Sequence, residues 1–479
     1  MGFQAPPGVY DIIPGSASEP WKEVSRWQYV EALMREEAEA FGYREIRTPI
    51  FERTELFTRS VGTGTAIVSN EMYTFVDKGE RSLTLRPEGT ASVVRAACEN
   101  RLLEGKNQKF YYFGPMFRYE RMQAGRYRQF YHFGLEAYGN GGAEQDAEII
   151  DFAHTLFWRL GIRNLKIKIN SIGDKEARET YKKAFLEYLR GHFDQLSEES
   201  RKRFEANPLR VLDSKDPQDK AIVNGAPSIL DFLSEECRTH FERLQTLLKE
   251  YEIPFEIDPR LVRGLDYYQK TVFEILSEDL GAQNALCGGG RYDGLAKELG
   301  GPDVPCSGFA LGIERVLQTM LKQETYFPPP KAPLLYFIPI GGEALEWCLS
   351  KAHELRRRAL SCEVDIDGRK VGKGFARAAD MGATWACAVG SSELDSHRLE
   401  LKELATGTKM AISIESLERI LQIEKDTEPF MSLFQRMYGP FKTAEEKAFF
   451  LQRIEDRIAV TRDLTDKLKQ AMVSLKDYL

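Results

Sequence analysis

The sequence has little that would tie it to a disulfide framework, a zinc site, a membrane or a polyanion-coating surface. Its seven cysteines (Cys98, Cys237, Cys287, Cys306, Cys348, Cys362 and Cys387) are dispersed, odd in number and without a CxxC pair. Disulfide scaffolds and structural zinc sites need paired or closely spaced thiols. The expectation is therefore reduced thiols, a cytoplasmic location and no metal held by protein ligands alone. No apolar run approaches the roughly 20 residues of a spanning helix, so no membrane partner is expected. The N-terminal stretch MGFQAPPGVYDIIPG has neither a basic start nor an apolar segment, so no secretory signal is expected. No GxGxxG joins a strand to a helix, which disfavours a wholly parallel dinucleotide fold. Positive charge is not in excess: 66 basic against 73 acidic residues give a net charge of -7. The molecule as a whole is not a polyanion binder, and DNA is not an expected partner. RNA remains allowed, because phosphate binding needs only a local basic face.

Hydrophobic residues make up 42% and charged residues 29% of the 479 positions, an ordinary composition that supports a buried core in two to four domains at roughly 150 residues each. Residues 21–41 carry Val24, Trp27, Val30, Met34, Ala38 and Phe41 at three- and four-residue steps, which predicts a helix stopped by Gly42. Residues 43–51 read as a strand in which Pro49 marks an edge or a departure from its own sheet. A strand over 82–85 runs into Arg86-Pro87-Glu88-Gly89-Thr90 and a helix over 91–97. Aromatic-rich strands over 110–118 and 131–138 flank a polar, basic loop, an antiparallel hairpin. Residues 174–250 are charged and helical, an insertion. Strands near 255–258, 271–276 and 284–287 follow, then a turn at Gly288-Gly289-Gly290, and a strand-to-helix unit over 308–322. Pro328-Pro329-Pro330 is a stiff linker. Beyond it, strands over 334–340, 361–365, 385–389 and 409–414 alternate with helices over 343–358 and 371–382, a small α/β domain. The C-terminal residues are charged, with an apolar stripe through Ile454, Ile458, Leu468, Met472, Leu475 and Leu479. The predicted architecture is an α+β domain on an antiparallel sheet (1–327) with a helical insertion (about 174–250), an α/β domain (328–424) and a helical extension (425–479).

Several short segments have the composition of a nucleotide and amino-acid site. Arg118, Glu120, Arg126 and Arg128 lie on or beside the hairpin, where guanidiniums can fork onto phosphate oxygens. Taken alone, they also fit a solvated hairpin tip. Glu88, past a strand end and before a helix, suits either an ammonium group or a helix cap. Arg263-Gly264-Leu265-Asp266-Tyr267-Tyr268 puts an arginine beside a glycine and two aromatic hydroxyls. The three glycines at 288–290 suggest a ligand lying against the backbone, since glycine weakens a strand. Arg315, in the first turn after Gly308-Phe309-Ala310-Leu311-Gly312, could stack on a purine.

Together these segments resemble one family. Phe117-Arg118-Tyr119-Glu120 resembles motif 2 of the class II aminoacyl-tRNA synthetases, Gly308–Arg315 motif 3, and the helix to Phe41 with the Pro49 strand motif 1. Leu261 through Tyr268 and Gly289 through Leu295 resemble the two signatures of the histidyl-tRNA synthetases, and Thr84 through Thr90 also fits. The resemblance runs from about residue 8 to 420. It implies ATP-dependent ligation of L-histidine to tRNA(His) through an adenylate, with Mg²⁺ on the phosphates and a homodimer. It implies that Arg118 and Arg263 are catalytic, acting on the α-phosphate, with Arg263 also on the histidine carboxylate. Glu120, Phe130 and Arg315 would hold adenine. Glu88 and Thr90 would take the α-ammonium, Glu136 and Tyr268 the imidazole, and Tyr267 and Tyr292 would line its pocket. Gln123 and Arg128 would reach the tRNA acceptor end. The α/β domain resembles an anticodon-binding domain, with Arg356, Arg357, Arg358, Arg369, Lys370 and Lys373 as an RNA-facing set.

The sequence departs from the family at three places. His132 stands where glutamine is usual, residues 62–70 drift, and 426–479 run past the common end. A neutral His132 can accept a hydrogen bond from the substrate ammonium as glutamine would; alternatively its ring packs on Phe130 or Phe133. The rival reading is a non-catalytic, histidine-sensing regulatory paralogue, which typically lacks both the Arg263–Tyr268 signature and the anticodon domain.

Overall fold

The computed structural model describes residues 3–438, apart from 16–17, 63–64, 66, 106, 122–124, 207, 213, 215 and 266. The apolar stripe at 454–479, Gln123 and Asp266 lie outside the described residues. The chain divides into two compact units, Met1–Thr325 and Tyr326–Leu479.

The first unit is built on an eight-stranded sheet. In spatial order its strands are Arg44–Glu45, Gln108–Phe117, Gln129–Tyr138, Cys306–Gly312, Ala285–Arg291, Gln269–Ser277, Leu165–Ser171 and Glu256–Ile257. The central six pair antiparallel, and the two short outer strands pair parallel. The aromatic hairpin is in continuous register from Gln108↔Tyr138 to Phe117↔Gln129. Helix Val24–Ala40 buries Trp27, Val30, Leu33, Met34 and Ala38 and stops before Gly42, whose φ is +79; left-handed backbone of this kind suits glycine.

Residues 43–51 are not one strand. Arg44–Glu45 joins the large sheet, while Phe51–Arg53 pairs with Ser82–Leu85 in a separate three-stranded sheet. Pro49 sits between them with no N–H to donate, and the chain changes sheets there. The three glycines are not a turn either. They lie within strand Ala285–Arg291, because each admits a close neighbour. A Cβ at Gly288 would lie 2.3 Å from Arg263 Nη1, one at Gly289 2.2 Å from the Gly308 carbonyl, and one at Gly290 2.3 Å from the Thr271 carbonyl.

The insertion is helical: Lys175–Arg190, Glu198–Ala206, Pro217–Asn224 and Glu235–Glu250. Asp174, Asp216 and Ser234 cap three of these helices through side-chain oxygens, as residues of this type do. Its apolar residues Tyr181, Phe185 and Leu189 join one core with Phe110, Tyr112, Tyr268 and Tyr292 of the sheet, and Arg178 donates to the Tyr268 carbonyl at 2.6 Å. Arg291 ties the insertion in more deeply. Fully buried, it donates to Asp146 (2.6 Å), to Asp293 (3.1 Å) and to the carbonyls of Asn140 and Gly142, and His240 of the insertion meets the same Asp146 at 2.8 Å. Every charge in this cluster has a partner, the condition under which a buried ion pair is tolerated; losing one member costs about 3–5 kcal/mol.

The second unit is a five-stranded sheet in the order Cys362–Val364, Leu335–Pro339, Trp385–Val389, Arg398–Glu403, Lys409–Ser413, with the first three parallel and the last two antiparallel. Helices Gly342–Arg357 and Val371–Asp380 alternate with the parallel strands, and helix Leu417–Tyr438 follows the sheet. Strand Arg398–Glu403 was not expected from sequence, although Leu399 and Leu401 alternate with charged residues and are buried, a period-2 pattern.

Candidate active site

One cleft in the first unit opens over the hairpin strands, strand Ala285–Arg291 and the start of helix Ile313–Lys322. It is lined by Glu88, Thr90, Arg118, Glu120, Phe130, His132, Arg263, Tyr267, Tyr268 and Arg315 among others. These ten residues, drawn from five stretches of sequence, meet in it. Glu136 and Tyr292 lie beneath its surface, both almost fully buried. Arg128 does not line it: its guanidinium stacks 4.0 Å over the Tyr119 ring.

Arg86 braces the backbone behind the cleft. Buried, it donates to the Pro115 carbonyl (2.9 Å) and to Thr48 through carbonyl and hydroxyl (3.0 Å each). Gly114 leaves it room, since a Cβ there would sit 2.3 Å from Arg86 Nη2. The next residue, Pro87, offers its carbonyl to Arg118 Nε at 2.8 Å. The Pro87 carbonyl thus anchors Arg118, whose guanidinium lies 5.3 Å from the Phe130 ring centre and 3.9 Å from Glu120. Glu120 also pairs with Arg126 at 3.3 Å. Arg315 Nη1 is held by the Ala285 carbonyl at 2.8 Å.

Glu88 plays the capping role and faces the cleft as well. Its two oxygens accept the N–H groups of Thr90 (2.6 Å) and Ala91 (2.9 Å), at the start of helix Thr90–Glu99. The cap fixes the carboxylate's direction. Burial nevertheless raises its pKa, against the two backbone hydrogen bonds that lower it.

Glu136 is gripped from both sides. Thr90 donates its hydroxyl to one oxygen at 2.7 Å, and Tyr292 donates to the other. Burial pushes this carboxyl up to about 8. The rings of Tyr267, Tyr268 and Tyr292 pack mutually, with centres 4.8–6.3 Å apart. Arg263 lies against Gly288, 3.3 Å from Glu274 and 5.7 Å from the Tyr268 ring centre, and its Nε is buried with no partner among the described residues.

His132 and Glu136 lie on one strand, opposite Gly312 and Gly308 respectively. The His132 ring packs edge-on to Phe130 at 4.9 Å and also lines the cleft, with Nδ1 buried and without a partner among the described residues. Burial, reinforced by Arg118, Arg315 and Arg86, holds its pKa well below 6.5. The imidazole is therefore neutral under ordinary conditions and can accept. Its protonation is displaced to pH values well below 6.5; if the cleft takes histidine, as the sequence resemblance implies, the KM for it in wild type and in His132→Gln should run parallel above pH 6.5 and separate only under more acid conditions, where wild type weakens more. Profiles that already diverge at neutral pH would contradict a neutral ring.

Tyr112 was not singled out from sequence. It lines the cleft, and its hydroxyl is buried, close to Thr90. Two glycines accommodate its ring: a Cβ at Gly89 or at Gly134 would lie 2.2–2.3 Å from it. Gly134 is its cross-strand partner, so the signal existed but only in the register.

An antiparallel catalytic sheet with this hairpin, an Arg-bearing strand-to-helix unit and a separate α/β domain defines a class II aminoacyl-tRNA synthetase. Residues 21–316 match the histidyl-tRNA synthetase family and residues 335–424 match the anticodon binding domain family. The chain belongs to the histidyl-tRNA synthetase family. It is 53% identical over 423 residues to the histidine–tRNA ligase of Protochlamydia amoebophila (strain UWE25), covering 88% of this chain and 100% of that one. The crystal structure of apo S. aureus histidyl-tRNA synthetase superposes with a TM-score of 0.74 at 34% identity, covering 88% of this chain and 100% of the other. A Bacillus halodurans C structure described as an ATP phosphoribosyltransferase regulatory subunit/histidyl-tRNA synthetase shares the fold, with a TM-score of 0.58 and 20% identity. The chain is accordingly an enzyme, a histidine–tRNA ligase that works through ATP and a histidyl-adenylate.

Proposed function

We propose that this cleft activates histidine in one step and transfers it to tRNA in the next, with its residues in the following roles. The convergence of Arg118, Arg263 and Arg315 with Glu88 and the Glu136–Tyr268 end on one cleft carries the reading. Arg118 and Arg263 bind the α-phosphate, and Arg263 also holds the histidine carboxylate that attacks it. Phe130 and Arg315 take the two faces of adenine, and Glu120 its amino group. Glu88, Thr90 and His132 receive the α-ammonium; Glu136 and Tyr268 receive the imidazole, walled by Tyr267 and Tyr292. Arg128 and Gln123 serve the tRNA acceptor end. The protein positions the reactants and offsets negative charge on the phosphorus. A site that hydrogen-bonds both imidazole nitrogens rejects analogues lacking them by roughly 10⁴ or more without editing.

Mg²⁺ bound to nucleotide phosphates takes one or two protein carboxylates, and the cleft offers Glu120 and Glu274. Both are engaged with arginines, which fits an ion carried mainly by the phosphates. When bound, it would neutralise the departing pyrophosphate.

The second unit is the anticodon reader in this proposal. Arg356 is engaged with the Cys362 carbonyl, Arg358 with Glu418, and Arg369 with Asp365 and Asp367. Among the described residues, this leaves Arg357, Lys370 and Lys373 as the cations of that set available to phosphate. Charging of tRNA(His) tests the assignment. The full chain should charge it with an affinity that falls with salt, by about 0.9 counterions per phosphate contact for duplex. A chain ending at Thr325 should still activate histidine but charge poorly; equal charging would remove the second unit from recognition.

A homodimer and a cytoplasmic location belong to the same proposal. Ile50, Phe51, Phe75 and Val76, on or beside the small three-stranded sheet, are 43–67% exposed. Phe51 and Phe75 pack against each other at 6.4 Å on one face of that sheet; exposed apolar surface of this kind suits an interface, and a self-complementary patch gives a two-fold dimer. Light scattering at micromolar concentration should report twice the chain mass; a monomer would count against it.

A further inference from the structure

The descending limb of the hairpin loop, residues 125–129, carries Arg126 and Tyr127 to the cleft. Its backbone is held by more than the hairpin. The N–H groups of Arg128 and Gln129 both donate to the Gly8 carbonyl, at 2.7 and 3.4 Å. Gly8 has φ +87, and a Cβ there would lie 2.7 Å from Arg128 Cδ, so only glycine lets the two segments close up. Two residues on, the Tyr10 hydroxyl donates to the Glu314 carboxyl, which also accepts the Tyr131 N–H at 2.8 Å. The Tyr10 ring packs on Tyr127 and Trp21 at 5.0 and 4.7 Å, and Trp21 lies 5.1 Å from Tyr127.

Helix Ile313–Lys322 meets the same limb directly. Arg315 Nε donates to the Gly125 carbonyl at 3.2 Å, and Gln318 donates to the Tyr127 hydroxyl at 3.1 Å. Glu314 itself is 2% exposed, and burial lifts its carboxyl to about 7. Both donors meet the same oxygen, Oε1, so this one buried atom ties Tyr10 of the N-terminal segment to the backbone of Tyr131, just past the limb; a hydrogen bond to a buried carboxyl is worth about 1–3 kcal/mol, enough to hold the segment in place.

We infer that the segment through Gly8 and Tyr10 is a strap, and that Tyr10 and Glu314 are positioning residues that fix the loop limb so that Arg126 and Arg315 face the nucleotide. The inference rests on the reading that this cleft takes ATP. Neither residue reaches the imidazole end of the cleft, where Glu136 is held by Thr90 and Tyr292. Freeing the strap therefore lowers the fraction of chains competent for ATP and leaves histidine binding intact. Apparent affinity falls in proportion to that fraction.

The test uses Tyr10→Phe, Glu314→Ala and Glu314→Gln in the full chain. ATP affinity is measured by calorimetry without histidine, and pyrophosphate exchange is measured with each substrate varied. Tyr10→Phe and Glu314→Ala should weaken ATP by about fivefold or more through the lost competent fraction, with kcat and the KM for histidine little changed. Glu314→Gln keeps an acceptor for both donors and should restore wild-type ATP affinity. Unchanged ATP affinity in Tyr10→Phe, or a fall in kcat or thermal stability alone, would overturn the strap. Tyr10→Phe removes a single oxygen, so it carries the test even if Glu314→Ala fails to fold. A wild-type chain that binds ATP but exchanges nothing with histidine would refute the functional reading and leave the strap standing on the calorimetry.

Discussion

Replacing Arg263 with alanine should slow histidine-dependent pyrophosphate exchange by about 10² or more, mostly in kcat, the scale seen when one charge-stabilising donor is removed. The guanidinium has been given an unusual place. It fills the space left by Gly288, beside Glu274 and the Tyr268 ring, with Nε unpaired among the described residues. An unpaired buried donor is expensive unless something arrives to accept it, and a carboxylate with a phosphate is such an acceptor. Lysine at this position keeps the charge but not the planar fork, so Arg263→Lys should recover only part of the loss. Circular dichroism should show both variants folded. Near-normal exchange in Arg263→Ala would remove the residue from the mechanism.

Glu136→Gln should lower kcat/KM for histidine by up to about 10-fold, the scale of one neutral hydrogen bond of roughly 0.5–1.5 kcal/mol. With its pKa lifted by burial to about 8, the carboxyl can meet either imidazole tautomer, donating when protonated and accepting when ionised. The same shift has a stability signature. In the unfolded chain the group ionises near its ordinary value of 4.5, whereas in the folded chain it keeps its proton up to about 8. The folded state therefore binds the extra proton between these values. This group's contribution to stability is full below about 4.5 and is lost as pH rises through 8. Glu136→Gln should flatten that decline in the denaturation midpoint. A mutant with the wild-type slope and wild-type kcat/KM would show that Glu136 neither titrates as described nor touches the substrate.

Much of the site was legible because its residues sit in local patterns. The aromatic hairpin alternates, so Phe130, His132 and Glu136 fall on one strand in known phase. Glu88 precedes a helix of small residues, and both of its possible roles were open from that position alone; the structure gives it the cap. What could not be read was non-local. Glycines 288–290 signal either a turn or a close approach, and the choice depends on Arg263, Phe309 and Thr271, which are distant in sequence. Tyr112 looks like one strand aromatic among several until Gly134 is seen across from it. Arg291 stands in a glycine-rich, ligand-like segment, yet its partners Asp146 and Asn140 make it a buried clamp. Pro49 announced a break without saying that the chain would change sheets.

The most direct measurement is ATP–pyrophosphate exchange by the full chain with each of the twenty amino acids in turn, Mg²⁺ present and Arg263→Ala as the control. Exchange that depends on histidine, is negligible with the other nineteen and collapses in the variant is the predicted result. Absence of exchange with histidine, or equal exchange with another amino acid, would contradict the account.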